Sequence, residues 1–181
     1  MTFPSYDEVQ AIRSELKEVG YQHWLHGDLF TWQWWGLLIA SILPWIIWGY
    51  LIKKEHRLHV FAFATSIGIV SSVLDVLGAG LLLWAYPTKL IPVVPPLFPA
   101  DLTLIPVIFS LAYYYGKRWS FYILYISIAA FLFSYVIEPF CKWIRIYEPI
   151  NFPHWVSFIG FMLLSLLVRW FLERILPRRE R

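Results

Sequence analysis

Three carboxylates stand where lipid should exclude them: Asp75 in SSVLDVLGAG, Asp101 in FPADLTLIP and Glu138 in FSYVIEPF. An Asp at the centre of a membrane helix costs roughly 2.5–3.5 kcal/mol on insertion scales, so such residues usually face a protein interior and have a task. In general, carboxyl groups gathered away from water hold their protons more tightly, through desolvation and mutual repulsion. A neutral acid can then donate a proton while an ionised neighbour accepts one. The chemistry on offer is proton donation and acceptance, or capture of a polar group inside an apolar recess. Asp75, Asp101 and Glu138 are the candidate proton donors and acceptors, and with Trp84 and Tyr86 at the rim they form the candidate ligand-binding set. The competing reading is structural, with Asp101 capping a helix and Lys89, Lys142 or Arg145 neutralising one of the acids.

Other reactive types offer less. His23 and His26, and His56 and His59, form two pairs with three-residue spacing, which a helix can present on one face. Neither has the HExxH spacing of a zinc protease. The topology below puts the pairs on opposite sides of a membrane, so no metal is expected. Cys141 is the only cysteine, which rules out an internal disulfide. No Gly-rich phosphate loop and no GxSxG motif is present, so no cofactor is expected.

The elements that must position these residues are membrane helices. The chain of 181 residues is 59% apolar, 20% aromatic and only 15% charged, against about 25% charged in a soluble domain. Apolar runs long enough to cross a bilayer recur. The net charge of +3 reflects Lys and Arg at span ends rather than a basic nucleic-acid face, so no nucleic-acid partner is expected. The first twenty residues lack the basic and apolar regions of a signal peptide, and the first span is expected to act as the membrane-targeting signal.

Residues 1–30 read as an N-terminal amphipathic interfacial helix. Tyr6, Val9, Ile12, Leu16 and Val19 recur on one face, and Ser5 with Glu8 gives a capping box. Residues 31–177 read as a five-span bundle, with spans at about 32–52, 58–86, 101–115, 119–139 and 155–176, and 178–181 as a basic tail. The fold class is therefore an all-α polytopic membrane helical bundle with five transmembrane helices plus the N-terminal helix. Lys53, Lys54, Arg57, Lys117, Arg118, Arg174, Arg178, Arg179 and Arg181 fall on one side of it. Arg13, Lys17, Lys89, Lys142 and Arg145 fall on the other. The positive-inside rule then places the N-terminus outside and the C-terminus in the cytoplasm.

This topology brings all three acids to the outer half of the membrane. At about 1.5 Å per residue, Asp75 lies past the midpoint of the outward-running second span. Asp101 opens the third span and Glu138 closes the fourth. Between spans two and three lies PTKLIPVVPPLFPAD, in which proline removes backbone donors that would otherwise need partners. Residues 87–100 are expected to form a re-entrant segment folded onto the outer face, because non-helical backbone at membrane depth is tolerated only where protein or water covers it.

LDVLGAGLLLWAYPTKLIPVVPPLFPAD and FSYVIEPFCKW together carry a resemblance. Asp75, Trp84, Tyr86, Pro87, Pro99, Asp101, Glu138, Pro139 and Trp143 resemble the shared pattern of an uncharacterised family of small multi-pass membrane proteins of spore-forming bacilli and clostridia (Firmicutes). The resemblance implies the span count and the same three acids, hints at sporulation through the company the family keeps, and implies no activity. Asp75, Trp84 and Tyr86 are also similar to part of the small membrane-embedded lycopene cyclases of bacteria, which have two adjacent carboxylates where this chain has PAD. That similarity implies protonation of an isoprenoid double bond by a carboxylic acid, with Glu138 as a second acid.

Three functions stay open on the sequence. One is an acid-lined pocket that binds a lipid or isoprenoid-like ligand. Another is a cofactor-independent isoprenoid cyclase or isomerase. The third is a structural or regulatory subunit of a membrane assembly, homo- or hetero-oligomeric. Membrane lipids are partners in all three.

Overall fold

The structure is a computed structural model, and it describes residues 3–92 and 97–176. Val93–Pro96 of the proline segment and the basic tail at 178–181 lie outside the described residues. The elements run α1 (Tyr6–His23), α2 (Trp32–Leu51), α3 (Arg57–Gly80), β1 (Trp84–Ala85), α4 (Ile105–Tyr115), α5 (Trp119–Leu132), α6 (Glu138–Trp143), β2 (Glu148–Pro149) and α7 (His154–Ile175). Single turns of wider π geometry occur at Trp24–Asp28, Ala100–Leu104 and Phe133–Ile137. The third of these joins α5 and α6 into one continuous helix, Trp119–Trp143.

Among the described residues, four helices are long and apolar enough to cross a membrane: Trp32–Leu51, Lys54–Gly80, Trp119–Trp143 and His154–Ile175. A shorter apolar helix, Ala100–Tyr115, accompanies them. Their outward faces are those of a protein in lipid. Ile69, Val73 and Leu77 of α3 are 58, 55 and 57% exposed, and Leu163, Leu167 and Phe171 of α7 are 54, 62 and 60% exposed. Such continuous four-residue stripes exceed what a water-soluble monomer shows, and the chain is a helical membrane protein.

Inside, α3 is central. Phe63 and Ile67 pack with Phe109 and Tyr113 of α4, Tyr122 and Ile126 of α5, and Leu164 and Val168 of α7. The Phe63 and Tyr113 rings stack at 4.3 Å. α1 starts with the expected capping box, Glu8 Oε2 accepting the Ser5 N–H at 2.6 Å and Ser5 Oγ accepting the Glu8 N–H at 3.2 Å. Its apolar stripe, including Ile12, Leu16 and Val19, is exposed.

Two helix ends differ from the sequence expectation, for one reason. α3 stops at Gly80 rather than running to 86, and the helix carrying Glu138 continues to Trp143 rather than stopping at 139. Both end in the six-to-one and five-to-two bond pair that closes a helix with a left-handed residue. Leu83 N–H donates to Gly78 O and Leu82 N–H to Ala79 O, while Ile146 N–H donates to Cys141 O and Arg145 N–H to Lys142 O. The left-handed residues are Leu82 (φ 56) and Arg145 (φ 57), where glycine is usual. A leucine inside an apolar run carries no stop signal. Because the left-handed conformation costs an L-residue about 1–2 kcal/mol, Leu82→Gly is expected to raise unfolding stability by about 1 kcal/mol, read by thermal denaturation in detergent.

Arg169 lies inside α7, 2% exposed. Its guanidinium lies over the Trp119 and Tyr122 rings, 4.3 Å from each centroid. It donates to Glu173 Oε1 at 2.9 Å and to the Gly116 and Lys117 carbonyls at 2.8 and 3.0 Å, so a cation closes the C-terminus of α4. Lysine cannot reproduce this fork. Breaking a buried charged network costs about 3–5 kcal/mol, so Arg169→Met is expected to abolish a monodisperse folded peak on size exclusion, with Arg169→Lys intermediate.

Candidate functional site

α2, α3, α4, α6 and α7 line a half-open cavity of about 640 Å³ at one end of the bundle, within the size range of small-molecule sites. Asp75, Asp101, Glu138, Trp84 and Tyr86 all line it, among mainly apolar neighbours such as Leu37, Leu97, Ile105, Phe133 and Leu164. Gly36 of α2 and Gly160 of α7 also line it, and a Cβ placed on either meets nothing within 4 Å.

Asp75 is the hub. Its Oδ1 accepts from Trp84 Nε1 at 2.6 Å and from the Tyr86 hydroxyl at 2.5 Å, and its Oδ2 accepts from the Leu97 N–H at 3.3 Å. One carboxylate therefore ties together the chain on both sides of the proline segment. Trp84 reaches it because α3 ends at Gly80 and the chain folds back, the indole seating over Gly78. β1 is held by its antiparallel partner β2, with Trp84 opposite Pro149 and Ala85 opposite Glu148. The Trp84 ring meets Phe152 edge-on at 4.6 Å. Burial, and then the Asp75 carboxylate, hold the Tyr86 hydroxyl far above the ordinary phenol range, so it remains a donor.

Asp101 comes within hydrogen-bonding reach of Asp75. It sits in the π turn Ala100–Leu104, whose existence follows from Pro106. A proline there has no N–H for the Asp101 or Leu102 carbonyl. Those carbonyls accept instead from Ser71 Oγ and Trp45 Nε1, both at 3.1 Å, which docks α4 onto α3 and α2. The turn Phe133–Ile137 likewise precedes Glu138-Pro139, and Trp24–Asp28 ends on an acid. Each π turn thus carries or adjoins a carboxylate, consistent with the frequent placement of such bulges at functional sites.

Glu138 faces α7. His154 Nδ1 lies 2.9 Å from its Oε2, and Ser157 is a second hydrogen-bonding neighbour. The structural alternative named Lys89, Lys142 or Arg145 as neutralising partners. Among the described residues none of the three forms an ion pair with these acids. Lys89 instead gives its backbone N–H to Asp28 Oδ2 at 3.0 Å, and Arg145 accepts at its carbonyl from Thr88 Oγ1 at 3.0 Å. Trp24 and Trp34 donate to the Leu90 carbonyl at 3.2 and 3.0 Å, so residues 87–90 are fastened from both sides.

The sequence expectation omitted His154, although the topology that put Glu138 at the outer end of one span put His154 at the outer start of the next. It also omitted Asp28, whose burial depends on the fold of the proline segment and had no local signal. His23 lies near Asp28 at 3.6 Å and His59 bonds Tyr113 at 2.7 Å, so each is engaged separately. Among the described residues, no three His, Cys, Asp or Glu side chains are grouped as metal ligands.

Fold and composition define a helical membrane protein with an acid-lined cavity at one end. No protein-family model matches the chain, and no curated protein or solved structure matches it.

Proposed function

We propose that this protein crosses the membrane five times, N-terminus outside, and binds a lipid or isoprenoid-like ligand in the cavity of its outer half. The fifth crossing is Ala100–Tyr115, about 24 Å long at 1.5 Å per residue. α1 lies on the outer surface with its exposed apolar stripe in lipid. The observation that carries the reading is the cavity itself. Its walls are apolar enough to hold a hydrocarbon body, and its polar groups converge at one place to orient a head.

Gly36 and Gly160 provide the test, because leucine at either position enters open space. Removing glycine from a helix interior also stabilises it by about 0.5–1 kcal/mol. Gly160→Leu is expected to fold normally and to lose whatever the cavity holds. The measurement is mass spectrometry of lipids retained by purified wild type and variant. A species retained stoichiometrically by the wild type and lost from Gly160→Leu supports the reading; identical lipid complements count against it.

One contact favours a second reading, an isoprenoid isomerase or cyclase without cofactor. Two carboxyl groups can hydrogen-bond only if one carries a proton, and Asp75 already accepts from three other groups. Asp101 is then the donor. Its O–H bond breaks as the proton adds to an alkene carbon, and the resulting cation loses a C–H proton to a neighbouring carboxylate such as Glu138. No electrons are gained or lost. Asp101→Asn is expected to abolish any isomer formed in cells expressing the protein, as read from lipid extracts, while leaving the ligand bound.

A further inference from the structure

We infer that the cavity selects amphiphiles with a positively charged head, and rejects phosphate-bearing and other anionic lipids. This deepens the ligand-binding reading and rests on it.

Size and apolar walls define a ligand; the charged groups at the wall define its sign. Three carboxyls line the cavity, and among the described residues no Lys, Arg or His lines it. His154, whose Nδ1 lies 2.9 Å from Glu138 Oε2, is not part of that lining. Asp75 is surrounded by dipolar donors rather than by a cation: an indole N–H, a phenol O–H and a backbone N–H. These stabilise a negative charge without cancelling it. Asp75 is thus a carboxylate whose partners are all dipolar, and Asp101 and Glu138 stand in the same lining.

Between such groups and a unit charge in the cavity, the interaction is stronger than in bulk water, because the effective dielectric is lower. The sign of that energy decides the ligand. An anionic phosphate would meet only repulsion, with no guanidinium or ammonium to receive it. A cation would meet both the carboxyls and ring faces, since Trp84, Tyr86, Tyr147 and Phe152 line the same space. Aromatic faces attract organic cations, most strongly where water is excluded. Bulky, weakly hydrated onium ions lose least on leaving water, so a hydrophobic ammonium or phosphonium is the chemical class that fits.

Tetraphenylphosphonium and tetraphenylborate have nearly the same size and shape and opposite charge. Each would be measured by equilibrium dialysis against the full chain in phosphatidylcholine nanodiscs, with empty discs subtracted and farnesol as a neutral probe. The expected result is saturable tetraphenylphosphonium binding, lost in Gly160→Leu and weakened at least about tenfold in Glu138→Gln. Tetraphenylborate should show no binding above empty discs. Equal binding of the two ions, or an undiminished affinity in Glu138→Gln, overturns the charge selection. Farnesol binding without phosphonium binding also overturns it and leaves the ligand-binding reading intact. If none of the three probes binds, both fall.

Discussion

Asp75→Ala is expected to cause the largest loss of stability of any single substitution around the cavity. The side chain accepts from Trp84 Nε1, the Tyr86 hydroxyl and the Leu97 N–H, and it is 5% exposed. Alanine removes the acceptor and leaves three donors in a place water reaches poorly. A buried donor without a partner costs about 1–3 kcal/mol, so the three together threaten the attachment of the whole segment from 84 to 97. Asp75→Asn separates charge from shape. The amide keeps one acceptor oxygen but turns an N–H₂ towards groups that themselves donate, so it should fall between wild type and Ala. Thermal denaturation in detergent, with limited proteolysis of the 84–97 segment, reads the order wild type, Asn, Ala. Variants as stable and protease-resistant as the wild type would show that Asp75 does not anchor this segment.

Gly78→Ala should reach the same end from the opposite side. A Cβ at 78 would lie 2.0 Å from Trp84 Cη2 and 2.1 Å from Cζ2. Neither helix backbone nor an indole wedged against Phe152 can yield that much, so the ring must leave. Overpacking of this kind costs about 1–3 kcal/mol, and the departing indole also takes its N–H away from Asp75. The expected signature is a lowered melting temperature with Trp84 newly accessible to the water-soluble quencher acrylamide. Gly80→Ala, two residues further along the helix where a Cβ meets nothing within 4 Å, is the control and should leave both unchanged.

These two positions also show what was legible in the chain. Asp75, Asp101 and Glu138 stand out because charge is rare in lipid, and counting spans places them at one end without any contact being known. What the residues do for one another was hidden. Gly78 looks like a small residue for helix packing, whereas its work is to seat an indole six positions on. That contact exists because α3 stops at Gly80, and the stop is made by Leu82 in a conformation that leucine rarely adopts. His154 could have been found, since it opens the helix that follows the one carrying Glu138. Asp28 could not, because its partner is the backbone of Lys89, and a backbone N–H has no signature in sequence. The short strands β1 and β2 are invisible for a similar reason: two residues each, paired across sixty positions, carry no periodicity.

Whether the acid-lined cavity takes a ligand is read directly by Cys141. It is the only cysteine in the chain and it lines the cavity. The measurement is the rate of Cys141 alkylation by N-ethylmaleimide in membranes, with and without farnesol. A guest in the cavity should shield the thiol, so farnesol is expected to slow wild-type labelling severalfold, and Gly160→Leu should label slowly whether farnesol is present or not. A wild-type rate unchanged at farnesol concentrations that saturate the membrane would contradict the account.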